Sequence, residues 1–368
     1  MSRISVQTKH VAEQQIASVR RFVRDQREIR EEIATLQDRL GAHCTGTPLC
    51  LFYAQDEEKG FDVEIAIPVT EGMMIPGVAT RRLPEDDLLC VVHVGPYETS
   101  EVGPGLIETV ERLRGFIAEH VVLVGDNPSR YVYLEGPETH GEDATRYVTE
   151  IQISYHLPVW LDRLREGVER ETDGPTADAV MAGSEGLSEA FDPEATRAWV
   201  LAVMTRLDAE IPAERTRACI LNDCAHRYPR HQLERLRRAY EDDGNLRGFL
   251  ARLADDKRLF PARISLDESS PTPVAIIERA VPPWNRDAYD AASNPVEKRF
   301  HRCFCVMVRE AIRRGEPVSP TFCHCSAGWF VQMWEAILDR RLRIDVLRSV
   351  LRGDEDCAFA VHLPPKLL

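Results

Sequence analysis

Two glutamates and a set of cysteines are the residues of this 368-residue chain whose types and spacing fit chemistry. Glu64 lies in Val63-Glu64-Ile65-Ala66-Ile67, and Glu150 in Thr149-Glu150-Ile151-Gln152-Ile153. In a strand, successive side chains alternate between faces, which puts the apolar residues on one side and the glutamate on the other. Both carboxylates are therefore expected to approach a common groove if the two strands are related by repetition. The alternative is that each faces water from an open antiparallel sheet. Cys303-Phe304-Cys305 and Cys323-His324-Cys325 offer four soft ligands suited to zinc, with Cys219 and Cys224 in reserve. Buried free thiols are the plainer alternative, since free cysteine is a common core residue.

The elements that must position the glutamates form a block written twice. Ile29, Ile33, Leu36 and Leu40 recur at a constant offset as Leu106, Val110, Leu113 and Ile117, and each quartet lines one face of an amphipathic helix. His43 and His120 follow at matching positions. Leu51-Phe52-Tyr53 then matches Tyr131-Val132-Tyr133, and the strand around Glu64 matches the strand around Glu150. Residues 1–158 thus read as two strand-helix-strand-strand units on an antiparallel sheet. The groove between two such copies is a natural ligand site.

Three runs in register with this duplication carry a family resemblance: Val92-His93-Val94-Gly95-Pro96-Tyr97-Glu98, Tyr133-Leu134-Glu135-Gly136-Pro137 and Val148-Thr149-Glu150-Ile151-Gln152-Ile153. Residues 1–158 resemble the GyrI-like (gyrase-inhibitor-like) small-molecule-binding domain, the effector-binding half of multidrug-responsive bacterial regulators. The resemblance implies an aromatic-walled pocket that holds amphipathic cations over a buried glutamate, and it assigns that role to Glu150. A carboxylate in such a pocket is costly to ionise until a cation pairs with it. Tyr53, Phe61, Tyr97, Tyr131, Tyr133, Tyr147 and Tyr155 are candidate walls that offer π faces to a cation. Tyr97, Tyr133 and Tyr147 lead because they lie in or beside the family runs. The expected ligand-binding set is Glu150, Glu64, Tyr53, Tyr97, Tyr133 and Tyr147. Some relatives are hydrolases of strained electrophiles, which implies an alternative role for Glu150 as general base. Neither repeat unit contains the tryptophan that such a mechanism would borrow, so binding ranks above hydrolysis.

The whole-chain balance narrows the partners. Lys plus Arg number 46 against 60 Asp plus Glu, a net charge of −14 that repels phosphate backbones, so nucleic acid is an unexpected partner. The run Arg227-Tyr228-Pro229-Arg230-His231-Gln232-Leu233-Glu234-Arg235-Leu236-Arg237-Arg238 reads as a mixed-charge helix that ends acidic. Neither a membrane span nor the apolar core of a signal peptide is evident, so a cytoplasmic protein with a small-molecule partner is expected. The spacing leaves the oligomeric state open.

Residues 159–188 read as a linker, polar and without sustained periodicity. Residues 189–368 are expected to form a cysteine-rich α+β domain. It is helical from the Asp192-Pro193 cap onward, and ends in a β-hairpin around Gly353-Asp354. Seven of the ten cysteines fall there. Disulfides are disfavoured in a reducing compartment, which favours metal ligation or thiolate chemistry. The segments Cys323-His324-Cys325-Ser326-Ala327-Gly328-Trp329 and Ser349-Val350-Leu351-Arg352-Gly353-Asp354 resemble cysteine-rich domains of 4-vinyl reductase-type and aminothiazoline-carboxylate hydrolase-like proteins. That resemblance implies metal ligation or a nucleophilic cysteine, with Cys325 as the candidate nucleophile.

Overall fold

The computed structural model describes residues 4–364 apart from 57, 73–76, 102, 121, 126, 225–229, 258, 261 and 270–271. The class is α+β. The chain divides into two compact units, one from residues 1–120 and 124–156, the other from residues 157–368 with 121–123. No helix among the described residues is long and apolar enough to cross a membrane.

The first unit runs β1 (Gln7–Val11), β2 (Gln14–Val23), α1 (Gln26–Leu40), β3 (Leu49–Asp56), β4 (Gly60–Pro68), β5 (Ala79–Leu83), β6 (Asp86–Val94), α2 (Leu106–Glu119), β7 (Ser129–Glu135), a single turn α3 (Pro137–His140) and β8 (Val148–Ser154). α1 begins where the Asp25 carboxylate accepts from the Glu28 amide at 3.0 Å. Its buried stripe is Ile29, Ile33, Leu36 and Leu40, as the spacing requires. α2 buries Leu106, Val110 and Leu113 in the same way.

The eight strands form one antiparallel sheet in the order β1-β6-β8-β7-β3-β4-β2-β5. A pseudo-twofold axis passes between β3 and β7, where Cys50 faces Tyr131. The axis relates β2-β4-β3 to β6-β8-β7. The two remaining short strands are exchanged. β1 leads into β2 but pairs with β6, while β5 leads into β6 but pairs with β2.

The pairing corrects the sequence alignment of the repeats. Leu51 sits opposite Glu64 and Val132 opposite Glu150, so Leu51 corresponds to Val132 rather than to Tyr131. The register shifts at Tyr53 and Leu134 fall at equivalent positions under this alignment.

The second unit contains α4 (His156–Glu171), α5 (Gly174–Met181), α6 (Leu187–Ala190), α7 (Pro193–Glu210), α8 (Glu214–Cys224), α9 (Arg230–Asp243), α10 (Leu246–Asp255), β9 (Arg263–Asp267), β10 (Val274–Glu278), α11 (Arg286–Ala291), α12 (Pro295–Arg302), α13 (Arg309–Arg314), α14 (Cys323–Leu338), β11 (Ile344–Arg348) and β12 (Ala358–His362). The stretch 159–188, read as an exposed linker, is largely helical. Trp160, Leu164 and Val168 of α4 and Val180 of α5 are fully buried, because an apolar stripe runs through the polar composition. Of the basic run, Arg227, Tyr228 and Pro229 lie outside the described residues, and the rest starts α9.

The terminal hairpin forms from β11 and β12, and β10 and β9 extend it to a four-stranded sheet ordered β11-β12-β10-β9. Trp334, Phe249, Phe260, Phe330 and Phe359 fill its core, with Phe249 and Trp334 edge-to-face at 5.9 Å. Gly328 permits the closest helix contact there: a Cβ on it would lie 2.2 Å from the Asn222 carbonyl oxygen of α8.

Candidate functional site

The sheet of the first unit has one face that carries the helices and one that does not. Val63, Ile65 and Ile67 of β4 pack with α1, and Val91 and Ile151 pack with α2. The intervening residues Glu64 and Glu150 consequently point to the helix-free face. They stand on β4 and β8, with β3 and β7 between them in the sheet. Three strand spacings separate them by roughly 14 Å. The two carboxylates therefore do not share a site; each has its own partners.

Strand exchange supplies the cation in both copies. β5 brings Arg81 to Glu64, with Nε at 2.8 Å from Oε1 and Nη2 at 2.6 Å from Oε2. Ser18 and Tyr53 each donate a hydroxyl to the same carboxylate at 2.6 Å. Glu64 is 5% exposed. Burial alone would push its carboxyl up, but the hydrogen bonds from Arg81, Ser18 and Tyr53 and the Arg81 charge outweigh burial and hold it at about 2. Burial and the bond to Glu64 push the Tyr53 phenol up. In the other copy β1 brings Lys9 to Glu150 at 3.2 Å, and Gln152 donates to the same oxygen. Lys9 is half exposed, so this pair is the weaker of the two.

Sequence reading missed Lys9 and Arg81. Each is one basic residue in a short strand ahead of its repeat, and nothing local records that the strand crosses to the other copy. A further buried cluster on this face also escaped notice: Arg130 pairs with Asp86 at 2.8 Å, and Ser154 and Asn127 donate to the same carboxylate.

The tyrosines separate by face. Tyr53 joins Glu64. Tyr97, Tyr133 and Tyr147 gather on the helix-bearing face, with Tyr97 edge-to-face with Tyr133 at 5.8 Å and tilted over Tyr147 at 5.1 Å. α1 packs mainly over β4 and β2 and α2 over β6, which leaves the central pair β3 and β7 as the floor between the helices. Phe52 and Tyr131 line that floor with ring centres 4.2 Å apart. Tyr131 and Tyr97 are partly exposed and pack against the core residues of both repeats. Arg30 of α1 donates to the Tyr97 hydroxyl at 2.5 Å and pairs with Glu138. Tyr133 donates to Gln26 at 2.8 Å and is buried, as is Tyr147. Burial pushes the Tyr97 and Tyr131 phenols up to about 12, so both remain neutral donors at physiological pH. Of the two remaining candidate walls, Phe61 packs on the helix-bearing face edge-to-face with Phe52 at 6.2 Å, and Tyr155 is 2% exposed and bridges to Val124. An aromatic trough with polar ends thus lies on the pseudo-twofold axis. Residues 5–156 match the family model of the GyrI-like small molecule binding domain.

The first unit is a GyrI-like domain. The match spans both repeats. Among solved structures, the chain is similar to EcmrR in its DNA complex at 21% identity and a TM-score of 0.35, over 41% of this chain and 56% of that one. The chain thus spans just over half the length of that relative. It is also similar to the separate EcmrR C-terminal domain at 21% identity and TM-score 0.35, over 41% of this chain and 96% of that one. A third is SAV2435 bound to tetraphenylphosphonium, at 15% identity and TM-score 0.30, over 41% and 94%. A hydrolase from Listeria innocua is similar at 12% identity and TM-score 0.30, over 42% and 93%. No curated protein matches the chain.

The cysteines of the second unit do not converge as the sequence pattern expects. Cys323 and Cys325 open α14, where residues two apart point about 200° away from each other. Cys323 lines a crevice with Cys303, Cys305 and Cys357, whereas Cys325 is directed toward Trp160 and Cys224. Burial pushes the Cys325 thiol up to about 12, which makes it a poor nucleophile. Among the described residues no group of three or more His, Cys, Asp or Glu side chains is arranged to hold a metal ion. As placed, Cys325 lies on the other side of α14 from Cys323, which lines the crevice with Cys303 and Cys305. In the crevice, hydrogen bonding from Cys303, then from Ser326, and the Arg279 charge pull the Cys305 thiol below its ordinary value against its burial. Cys303 moves up by the same bond and by burial.

Proposed function

We propose that the GyrI-like domain binds an amphipathic aromatic compound, preferentially a cation, in the trough between α1 and α2. The observation that carries this reading is the position of Phe52 and Tyr131 on the uncovered central strands, with Tyr97 beside them. Their ring faces attract flat apolar guests by burial and cations by the π quadrupole, the latter worth roughly 0.5–2 kcal/mol per ring. Two ion pairs flank these rings, Arg30–Glu138 beside Tyr97 and Arg114–Glu111 on α2 toward Tyr131.

Glu150 and Glu64 lie across the sheet, so a guest in the trough gains nothing from touching them. Glu150, with its exposed Lys9 partner, is the carboxylate of the two that a cation on the helix-free face would reach. Titration of the wild-type chain, Tyr131→Ala and Glu150→Gln with N-methylacridinium and neutral acridine separates the two faces. The trough reading expects the cation to bind more tightly than acridine, and expects Tyr131→Ala to lose at least about tenfold. Retention by Tyr131→Ala with loss in Glu150→Gln would move the site to the helix-free face. Mass analysis of the recovered probe distinguishes binding from hydrolysis: intact compound supports a binding protein.

A further inference from the structure

The crevice of the second unit is assembled from separate chain segments. Cys303 and Cys305 come from the connection between α12 and α13, Cys323 from the first turn of α14, and Cys357 from the residue before β12. The crevice is narrow, with a cavity volume of about 10 Å³, room for roughly one water-sized molecule. Its polar groups are turned to the sulfurs. The Cys305 Sγ lies 3.2 Å from the Ser326 hydroxyl, and Cys303 lines the same crevice two residues away. Arg279 reaches that hydroxyl at 3.4 Å while its guanidinium stacks 3.5 Å from the centre of the Phe304 ring. Cys323 is engaged separately with Ser349 at 2.8 Å. Cys303 is buried and Cys305 half-buried, so Cys305 is the more accessible of the two.

We propose that Cys305 and Cys303 are a redox-active pair that reduces peroxides, with Cys305 as the attacking sulfur and Cys303 as the resolving one. The Cys305 sulfur attacks the outer oxygen of a hydroperoxide. The O–O bond breaks, the alcohol or water departs with a proton, and Cys305 becomes a sulfenic acid, oxidised by two electrons. The Cys303 sulfur then attacks the Cys305 sulfur. An S–S bond forms, the S–O bond breaks, and hydroxide leaves with the thiol proton as water. Two residues span at most about 7 Å, and a modest bend at Phe304 brings the pair within the roughly 4–7 Å a disulfide needs. A dithiol reductant returns the pair to thiols by exchange and is itself oxidised to a disulfide.

The test uses the full chain, reduced and freed of oxygen, then exposed to stoichiometric hydrogen peroxide and mapped by non-reducing peptide mass spectrometry. Exposed Cys219 serves as the internal control. The proposal expects the 303–305 peptide to lose two hydrogens at least about tenfold faster than Cys219 is oxidised. Cys303→Ser should leave a sulfenic acid at Cys305 that a dione reagent traps, and Cys305→Ser should leave Cys303 reduced. The wild-type competition needs no variant to fold. Oxidation of Cys219 first, a disulfide that uses Cys323 or Cys357, or purification with stoichiometric zinc on these thiols would overturn it.

Discussion

Removing the guanidinium that strand exchange delivers to Glu64 leaves a buried carboxylate without its cation. Glu64 is 5% exposed, and its carboxyl is lowered from an ordinary 4.5 to about 2. At 1.36 kcal/mol per unit this corresponds to about 3 kcal/mol. Breaking a buried pair by deleting one partner costs about 3–5 kcal/mol. The Arg81 side chain is 37% exposed, which places Arg81→Met at the lower end, about 3 kcal/mol.

The pH dependence follows from the direction of the shift. A depressed carboxyl contributes stability that is complete above its unfolded value and is lost as pH falls through the folded one. Wild type therefore loses this contribution below pH 4.5 and toward about 2. In Arg81→Met, burial is no longer offset by the cation, so the folded carboxyl rises and the variant gains stability as pH drops from neutrality toward about 4.

Two units make a single denaturation curve ambiguous, so the assay is amide hydrogen exchange read at β2, β4 and β5. Glu64→Gln combined with Arg81→Met should recover most of the loss, because the amide is neutral, its oxygen accepts from one of the Ser18 and Tyr53 hydroxyls and its NH2 donates to the other. A cost below about 1 kcal/mol, or a pH slope in Arg81→Met equal to that of wild type, would refute the reasoning.

Two further substitutions probe the frame. Gly328→Ala should destabilise the second unit by about 1–3 kcal/mol, read by exchange in α8 and α14, because its methyl meets the Asn222 backbone rather than a flexible side chain. Asp25→Ala should cost about 1 kcal/mol in the exchange of the first turn of α1, since it removes the acceptor for the Glu28 amide.

The helices of the repeat were legible because burial imposes their period directly: the stripe Ile29, Ile33, Leu36 and Leu40 is both the signal and the contact. Strand partners were not legible in the same way. The exchange of β1 and β5 is decided by pairing across the sheet, and so Lys9 and Arg81 look like ordinary solvated cations until the fold places them. Alternation correctly put Glu64 opposite Val63 and Ile65, but did not say which face the helices would cover. Strand pairing likewise decides the true alignment of the repeats, and with it the equivalence of Phe52 and Tyr133. The cysteine pattern does not by itself say which sulfurs share a side. A Cys-x-Cys pair presents both sulfurs on one side when extended, but opposite sides when it opens a helix, as Cys323 and Cys325 do.

Photoaffinity labelling with an azide-bearing N-methylacridinium tests the ligand reading most directly, because it reports where the guest sits rather than whether it binds. The trough predicts crosslinks on the peptides that carry Phe52, Tyr97 and Tyr131, suppressed by excess unmodified probe. Competed crosslinks confined to the peptides that carry Lys9, Arg81 and Val92 would place the guest on the helix-free face and contradict the account.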